Sequence, residues 1–116
     1  MTDADPVFAI GAADGRYRSK VRDLAPIVSE FGLMRYRVEV ECAWVLFLSR
    51  CPDIKEFQPL SSGDEAFVQA IADEFDSEDA ARIKALEATT NHDVKAIEYF
   101  LKLSLIHISE PTRPIH

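Results

Sequence analysis

The sequence predicts an all-α chain, and three observations carry that expectation. Apolar residues recur at three- and four-residue spacing over most of its length, no stretch alternates with period two, and cap-forming polar residues precede the later periodic segments. Taken in order, residues 3 to 15 mix Pro6, Gly11, Asp14 and Gly15 with a short apolar patch from Val7 to Ile10. Residues 1–15 therefore read as an irregular arm closed by an Asp-Gly turn. Arg16, Tyr17, Arg18 and Lys20 follow as the densest basic cluster in a chain of formal net charge −7. Two readings stand for it: a solvated helix start with arginine stems lying on apolar surface, or phosphate contact through a guanidinium fork and a phenol.

Lys20 to Asp23 suits a short helical turn. Pro26 suits the start of a further piece, because its missing N–H costs nothing in a first turn, and Gly32 is expected to end it. From Leu33 to Arg50 the apolar residues Leu33, Tyr36, Val40, Trp44 and Phe47 trace one face of the longest helix, with Trp44 as its expected packing anchor. Leu46 and Leu48 widen the apolar surface, so neighbours are expected on more than one side. Arg35 with Glu39 and Arg37 with Glu41 stand four apart, as local ion pairs would. Cys51-Pro52-Asp53 stops the helix, and residues 54–60 form a connector.

Ser62 and Glu65 fit a capping box, opening a helix whose apolar face is Phe67, Val68, Ile71 and Phe75. Asp76 or Ser77 caps the next one, where Glu78 and Arg82 are spaced as a pair, Ile83 and Leu86 face inward, and four alanines favour the helix. The acidic run from Asp73 to Asp79 reads as a solvated face and cap. In Thr89-Thr90-Asn91-His92-Asp93-Val94-Lys95, Asn91 is the expected N-cap of a last helix carrying Val94, Ile97, Phe100 and Leu101. Free amides and partial positive charge at such a terminus suit an anion, with His92 and Lys95 beside them; the plainer alternative is an ordinary cap.

A length of 116 residues, 47% of them hydrophobic and 28% charged, describes one domain at most with a modest core. No run approaches the roughly 18 apolar residues of a membrane span, so no membrane partner is expected. The acidic balance argues against a nucleic-acid surface. Met1 to Asp5 lacks a basic start and an apolar core, so a cytoplasmic location is expected. Cys42 and Cys51 match neither zinc nor redox spacing and read as buried free thiols. His107 and His116 lack acidic or thiol partners at helpful spacing, so no metal is expected.

Three blocks carry a family resemblance: Asp14-Gly15-Arg16-Tyr17; Phe31-Gly32-Leu33 leading into the run from Arg37 to Trp44; and the run from Thr89 to Leu101. In order and spacing, over residues 7 to 102, the chain resembles the N-terminal domain of the bacterial-type adenylosuccinate lyases. The resemblance implies the fumarase and aspartase superfamily, an all-α fold built on a long helix bundle, a homotetramer and no cofactor. It also implies elimination of fumarate from adenylosuccinate and from the related succinyl aminoimidazole carboxamide nucleotide in purine biosynthesis. Carried over residue by residue, Arg16 and Tyr17 match a pair contacting the nucleotide near its phosphate. Asn91, His92 and Asp93 match a second substrate-contacting segment, with a supporting role for His92.

The chain departs from the family pattern downstream. The family's catalytic histidine, its Thr-Ser segment, its mobile Ser-Ser loop and its central-bundle helices have no counterpart here, so the chain is expected to be an N-terminal fragment, inactive alone. Residues 16–102 make up the helical lyase domain on this reading. Residues 103–116 look like a translated sequencing adapter, a foreign or unstructured tail in which Pro111 and Pro114 end any helix. Two alternatives stay open: a sister lyase of the same superfamily, and a small helical interaction module without catalysis. The module would be self-contained, whereas a fragment should expose a large apolar flank.

Overall fold

The helical expectation is met in a computed structural model that describes residues 5–54 and 59–105. Five α-helices occupy these residues: α1 Ala25–Val28, α2 Glu30–Ser49, α3 Ser62–Asp73, α4 Ser77–Thr90 and α5 Asp93–Ser104. They are preceded by four 3-10 turns, Pro6–Phe8, Ala12–Asp14, Arg18–Lys20 and Arg22–Leu24, and the described residues contain no strand. The arm is thus a series of turns. Asp14 closes one of them, its carboxylate accepting from the N–H groups of Ile10 and Gly11, each at 2.8 Å. Gly11 takes the left-handed region that glycine tolerates, at φ 112°. These backbone hydrogen bonds hold the Asp14 carboxyl below its ordinary range.

Helix α2 is the hub. Its buried residues are Phe31, Gly32, Met34, Val38, Cys42, Leu46 and Ser49, and Val38 is wholly enclosed at 0% exposure. Around them gather Val7 of the arm, Val68 and Ala72 of α3, Ala80 and Ile83 of α4, and Ala96, Ile97, Phe100 and Leu101 of α5. An aromatic relay threads this core: Phe8 to Phe31 at 4.8 Å, Phe31 to Phe75 at 5.6 Å, and Phe75 edge-on to Phe100 at 6.0 Å. Such pairs add specific geometry to ordinary apolar burial. Three ion pairs reach from α2 and its C-cap to neighbouring helices: Glu30 with Lys84 of α4 at 2.9 Å, Arg37 with Asp93 of α5 at 3.0 Å, and Arg50 with Glu65 of α3 at 3.1 Å.

The core face of α2 is not the one the periodicity singled out. Leu33, Tyr36, Val40, Trp44 and Phe47 are all exposed, and Trp44 anchors no core. The helix is apolar on two opposite sides, and both satisfy a period near 3.6 residues. The smaller second set at Met34, Val38, Cys42 and Leu46 is the one its neighbours cover. Arg35 and Arg37 also leave the expected local pairs. Arg35 donates to the Pro26 carbonyl at 3.0 Å and the Tyr36 hydroxyl at 3.1 Å, and Arg37 reaches Asp93.

Gly32 does not end a helix; it lies in the first turn of α2. Its N–H donates to the capping Ser29 hydroxyl at 3.1 Å. The residue is small for steric reasons, since a Cβ built there would overlap the Ile27 carbonyl and stand 2.8 Å from that of Pro26. The next caps are displaced by a residue or a choice. Ser61, not Ser62, caps α3, accepting from the Asp64 N–H at 3.0 Å. Asp76 caps α4 in a reciprocal box with Asp79, and Asp79 rather than Glu78 is the carboxylate paired with Arg82.

Of the two cysteines, Cys42 is buried, and burial pushes its thiol up to about 11, with Glu41 and Asp73 adding to the effect. Cys51 is only half-buried. On α5, Val94 stands exposed although it follows the apolar period, and on α3 Phe67 lies at the surface. Helix α5 runs through Leu103 to Ser104, two residues past the boundary drawn at Lys102 from the family resemblance. Residues 1–4 of the arm, 55–58 of the connector and 106–116 of the tail lie outside the described residues.

Replacing Gly32 tests the tight α1–α2 corner. Gly32→Ala should destabilise the chain by about 1–3 kcal/mol through backbone displacement, although alanine favours a helix interior. Urea unfolding followed by circular dichroism measures it, and a stability equal to or above that of the parent would show that the corner has slack.

Candidate functional site

The segment joining α4 to α5 is built by two caps back to back. Asn91 ends α4 in the left-handed region at φ 54°, and its N–H returns to the Glu87 carbonyl at 2.7 Å. Asparagine is among the few residues other than glycine that occupy this region routinely. His92, not Asn91, is the N-cap of α5: its Nδ1 accepts from the Lys95 N–H at 3.2 Å. Thr90 steadies the link, its hydroxyl accepting from the His92 N–H at 3.2 Å and donating to the His92 carbonyl at 3.1 Å. Because Nδ1 acts as an acceptor, the proton of the neutral ring is carried on Nε2.

Three backbone amides at this terminus, those of Val94, Lys95 and Ala96, are taken. Asp93 Oδ1 accepts from the Val94 N–H at 2.8 Å, His92 Nδ1 holds that of Lys95, and the Ala96 N–H turns back to the His92 carbonyl at 3.0 Å. An anion here would therefore meet side chains rather than an open ring of N–H groups, which alters the reason for expecting one. Asp93 also receives Arg37, and this hydrogen bond, followed by that from Val94, keeps its carboxyl below the ordinary value of 3.8. Partly exposed at the surface, the pair matters for position more than for energy. It fixes where α5 begins against the middle of α2.

Arg16 and Tyr17 sit on the arm, in the turn that follows Asp14. Both are exposed, and the Arg16 guanidinium lies over the Tyr17 ring at 5.6 Å from its centroid. The described contacts pair Arg16 with Tyr17, Asn91 with Glu87, His92 with Thr90 and Lys95, and Asp93 with Arg37 and Val94. The two expected halves of the site therefore stand as separate groups, each presenting side chains to solvent.

A groove with a volume of about 370 Å³ runs beside the cap segment, between α2 and α5, lined by Leu33, Tyr36, Val40, Val94 and Ile97 with Arg37, Glu41 and Glu98 at its edges. Sequence reasoning missed both this groove and the tie from Arg37 to Asp93. The partners of that tie are 56 residues apart, and Arg37 carried a plausible local partner in Glu41, so no local signal pointed across the fold. No group of three His, Cys, Asp or Glu residues among the described residues is placed to hold a metal. No helix among them is long and apolar enough to cross a membrane.

No family model matches the chain. Whole-sequence comparison is more informative. The chain is 49% identical over 108 residues to an adenylosuccinate lyase of Haemophilus influenzae, covering 88% of this chain. It is 47% identical over 102 residues to that of Escherichia coli K12, again covering 88% of this chain. The chain is related to the adenylosuccinate lyases. A third relative, the adenylosuccinate lyase of Vibrio cholerae, is 50% identical over 94 residues, or 81% of the chain. The chain spans 24%, 22% and 21% of the lengths of these three adenylosuccinate lyases.

The tie between α2 and α5 has a defined pH signature. A carboxyl whose folded pKa is depressed contributes stability that is present above its unfolded value and is lost as pH falls through the folded value. The stability difference between the parent chain and Asp93→Asn should accordingly be present at about pH 6 and vanish as pH falls below the ordinary aspartate range. Arg37→Ala should remove most of that difference at any pH. Denaturant titration from neutral to acid pH measures both, and a difference unchanged at about pH 2 would contradict the assignment.

Proposed function

We propose that this chain is the substrate-contacting N-terminal segment of an adenylosuccinate lyase and is inactive alone. The parent enzyme eliminates fumarate from adenylosuccinate, and from the succinyl aminoimidazole carboxamide nucleotide of the same biosynthetic route to purines. The observation that carries this reading is the identity of 47–50% to adenylosuccinate lyases over most of the chain. Exposure of one whole apolar side of α2 supports the segment reading over a self-contained helical module, which would have that side covered.

On this reading the two exposed groups divide the work. Arg16 meets the substrate phosphate with a fork of N–H donors, and Tyr17 adds a phenol beside it. At the other group, Asn91 and His92 contact the nucleotide, while Asp93, held by Arg37, sets the place of the helix end that carries them. The elimination needs a base for the proton beside a carboxylate and an acid for the departing nitrogen. Their family counterparts fall outside this chain, so His92 orients the substrate and supports proton movement through Nε2. The parent enzyme is taken to be cytoplasmic and homotetrameric.

The experiment replaces the matching segment of the E. coli enzyme with residues 7–102 and follows fumarate release. The chimera should turn over, and Arg16→Ala and His92→Ala should each lower kcat/KM by about tenfold or more, the loss expected for a charge-assisted contact. Full activity in both variants would sink the site assignment, and an inactive but folded chimera would sink the assignment to this enzyme.

A further inference from the structure

The stretch that carries Arg16 and Tyr17 has no core to hold it. Val7 and Ala25 are buried, whereas every residue between them is half-buried or exposed. Apolar burial anchors the two ends, and hydrogen bonds must set the path of the chain between them. Three of those bonds end on one group. The Asp14 carboxylate accepts from the Ile10 N–H with both oxygens, at 2.8 and 3.0 Å, and from the Gly11 N–H at 2.8 Å. The Asp14 N–H returns to the Gly11 carbonyl at 3.0 Å and completes a closed turn. An ionised acceptor makes such bonds stronger than a neutral one would.

Gly15, the next residue, opens a second turn, its carbonyl accepting from the Arg18 N–H at 3.3 Å. Arg16 and Tyr17 are the two central residues of that turn. Both are exposed, with the guanidinium 5.6 Å from the ring centroid. The turn that presents the pair therefore starts directly from the turn that Asp14 closes.

We propose that Asp14 is a positioning residue for the phosphate contact: by closing the turn from Ile10 to Asp14, its carboxylate sets where Arg16 and Tyr17 meet the substrate. The inference rests on the reading of Arg16 and Tyr17 as the phosphate contact. A carboxylate two residues from such a contact is otherwise a poor choice, because like charges repel an anionic ligand. Here the two oxygens are engaged by backbone N–H groups, so the charge is spent within the arm. This gives the proposal a sign. If Asp14 acted only through its charge, neutralising it would tighten phosphate binding; as a positioning residue, its loss weakens binding.

The test uses the E. coli enzyme carrying residues 7–102. Asp14→Ala should raise KM about tenfold and leave kcat within about twofold, the pattern of a lost binding interaction remote from the bond that breaks. Asp14→Asn, which keeps one acceptor oxygen, should fall between the two, at about threefold. Combined with Arg16→Ala, the Asp14→Ala change should add less than about twofold, because it acts through the residue already removed. The nucleoside form of the substrate, which lacks the phosphate, should be turned over equally with and without Asp14→Ala. In the 116-residue chain itself the helical circular dichroism should be unchanged, since the core cluster holds no residue between Val7 and Phe31. An unchanged or lowered KM in Asp14→Asn would overturn the proposal. So would multiplied losses in the double variant, an equal loss on the nucleoside, or a lost helical signal, each of which marks a general structural role. Arg16→Ala without effect would bring down the phosphate reading itself, and this inference with it.

Discussion

The structure depends on the burial of one side of α2. Met34, Val38, Cys42 and Leu46 are each no more than 6% exposed, and α3, α4, α5 and the arm all place side chains against that side. Fully burying an apolar side chain of this kind stabilises by about 1.5–3 kcal/mol, whereas exposed ion pairs contribute little. The pairs from α2 to Lys84, Asp93 and Glu65 therefore do not hold the helices together. They choose the register in which the helices, already gathered by the apolar effect, come to rest.

That register positions the candidate site. Ala96 and Ile97, at 0% and 3% exposure, fix the rotation of α5. Arg37 fixes its start, and the left-handed Asn91 allows α4 and α5 to meet with no intervening loop. His92 is left exposed at the corner with its Nδ1 committed to the helix. The cap also uses the amides of Val94 and Lys95, two of those that a helix N-terminus leaves open to an anion. Arg16 and Tyr17 are set differently, by the local turn that Asp14 closes. Their position relative to His92 follows from the arm rather than from the core.

Much of this was legible in the sequence because helix formation is written locally. The 3.6-residue period gave the helical class and the extents of α3, α4 and α5 to within a few residues, and the family resemblance pointed to both exposed groups. The core face of α2 was not legible. Its two apolar sides satisfy the same period, and choosing between them depends on which neighbours arrive. Trp44 looked like the anchor because it is large, yet size does not say which side is covered. The caps were missed by one residue where two candidates adjoin, Ser61 with Ser62 and Asn91 with His92. Arg35 and Arg37 were assigned to carboxylates on their own helix, but the fold offered each a partner on a neighbouring segment.

The claim that most of the account rests on is the choice of face, and two substitutions two residues apart on α2 test it. Leu46→Ala removes a side chain that is 6% exposed and Trp44→Ala one that is 54% exposed. Measured by urea unfolding at low chain concentration, Leu46→Ala should cost about 2–5 kcal/mol and Trp44→Ala less than about 0.5 kcal/mol. A larger loss at Trp44 than at Leu46 would mean that the helix is turned the other way, and the placement of α5 and its cap would go with it.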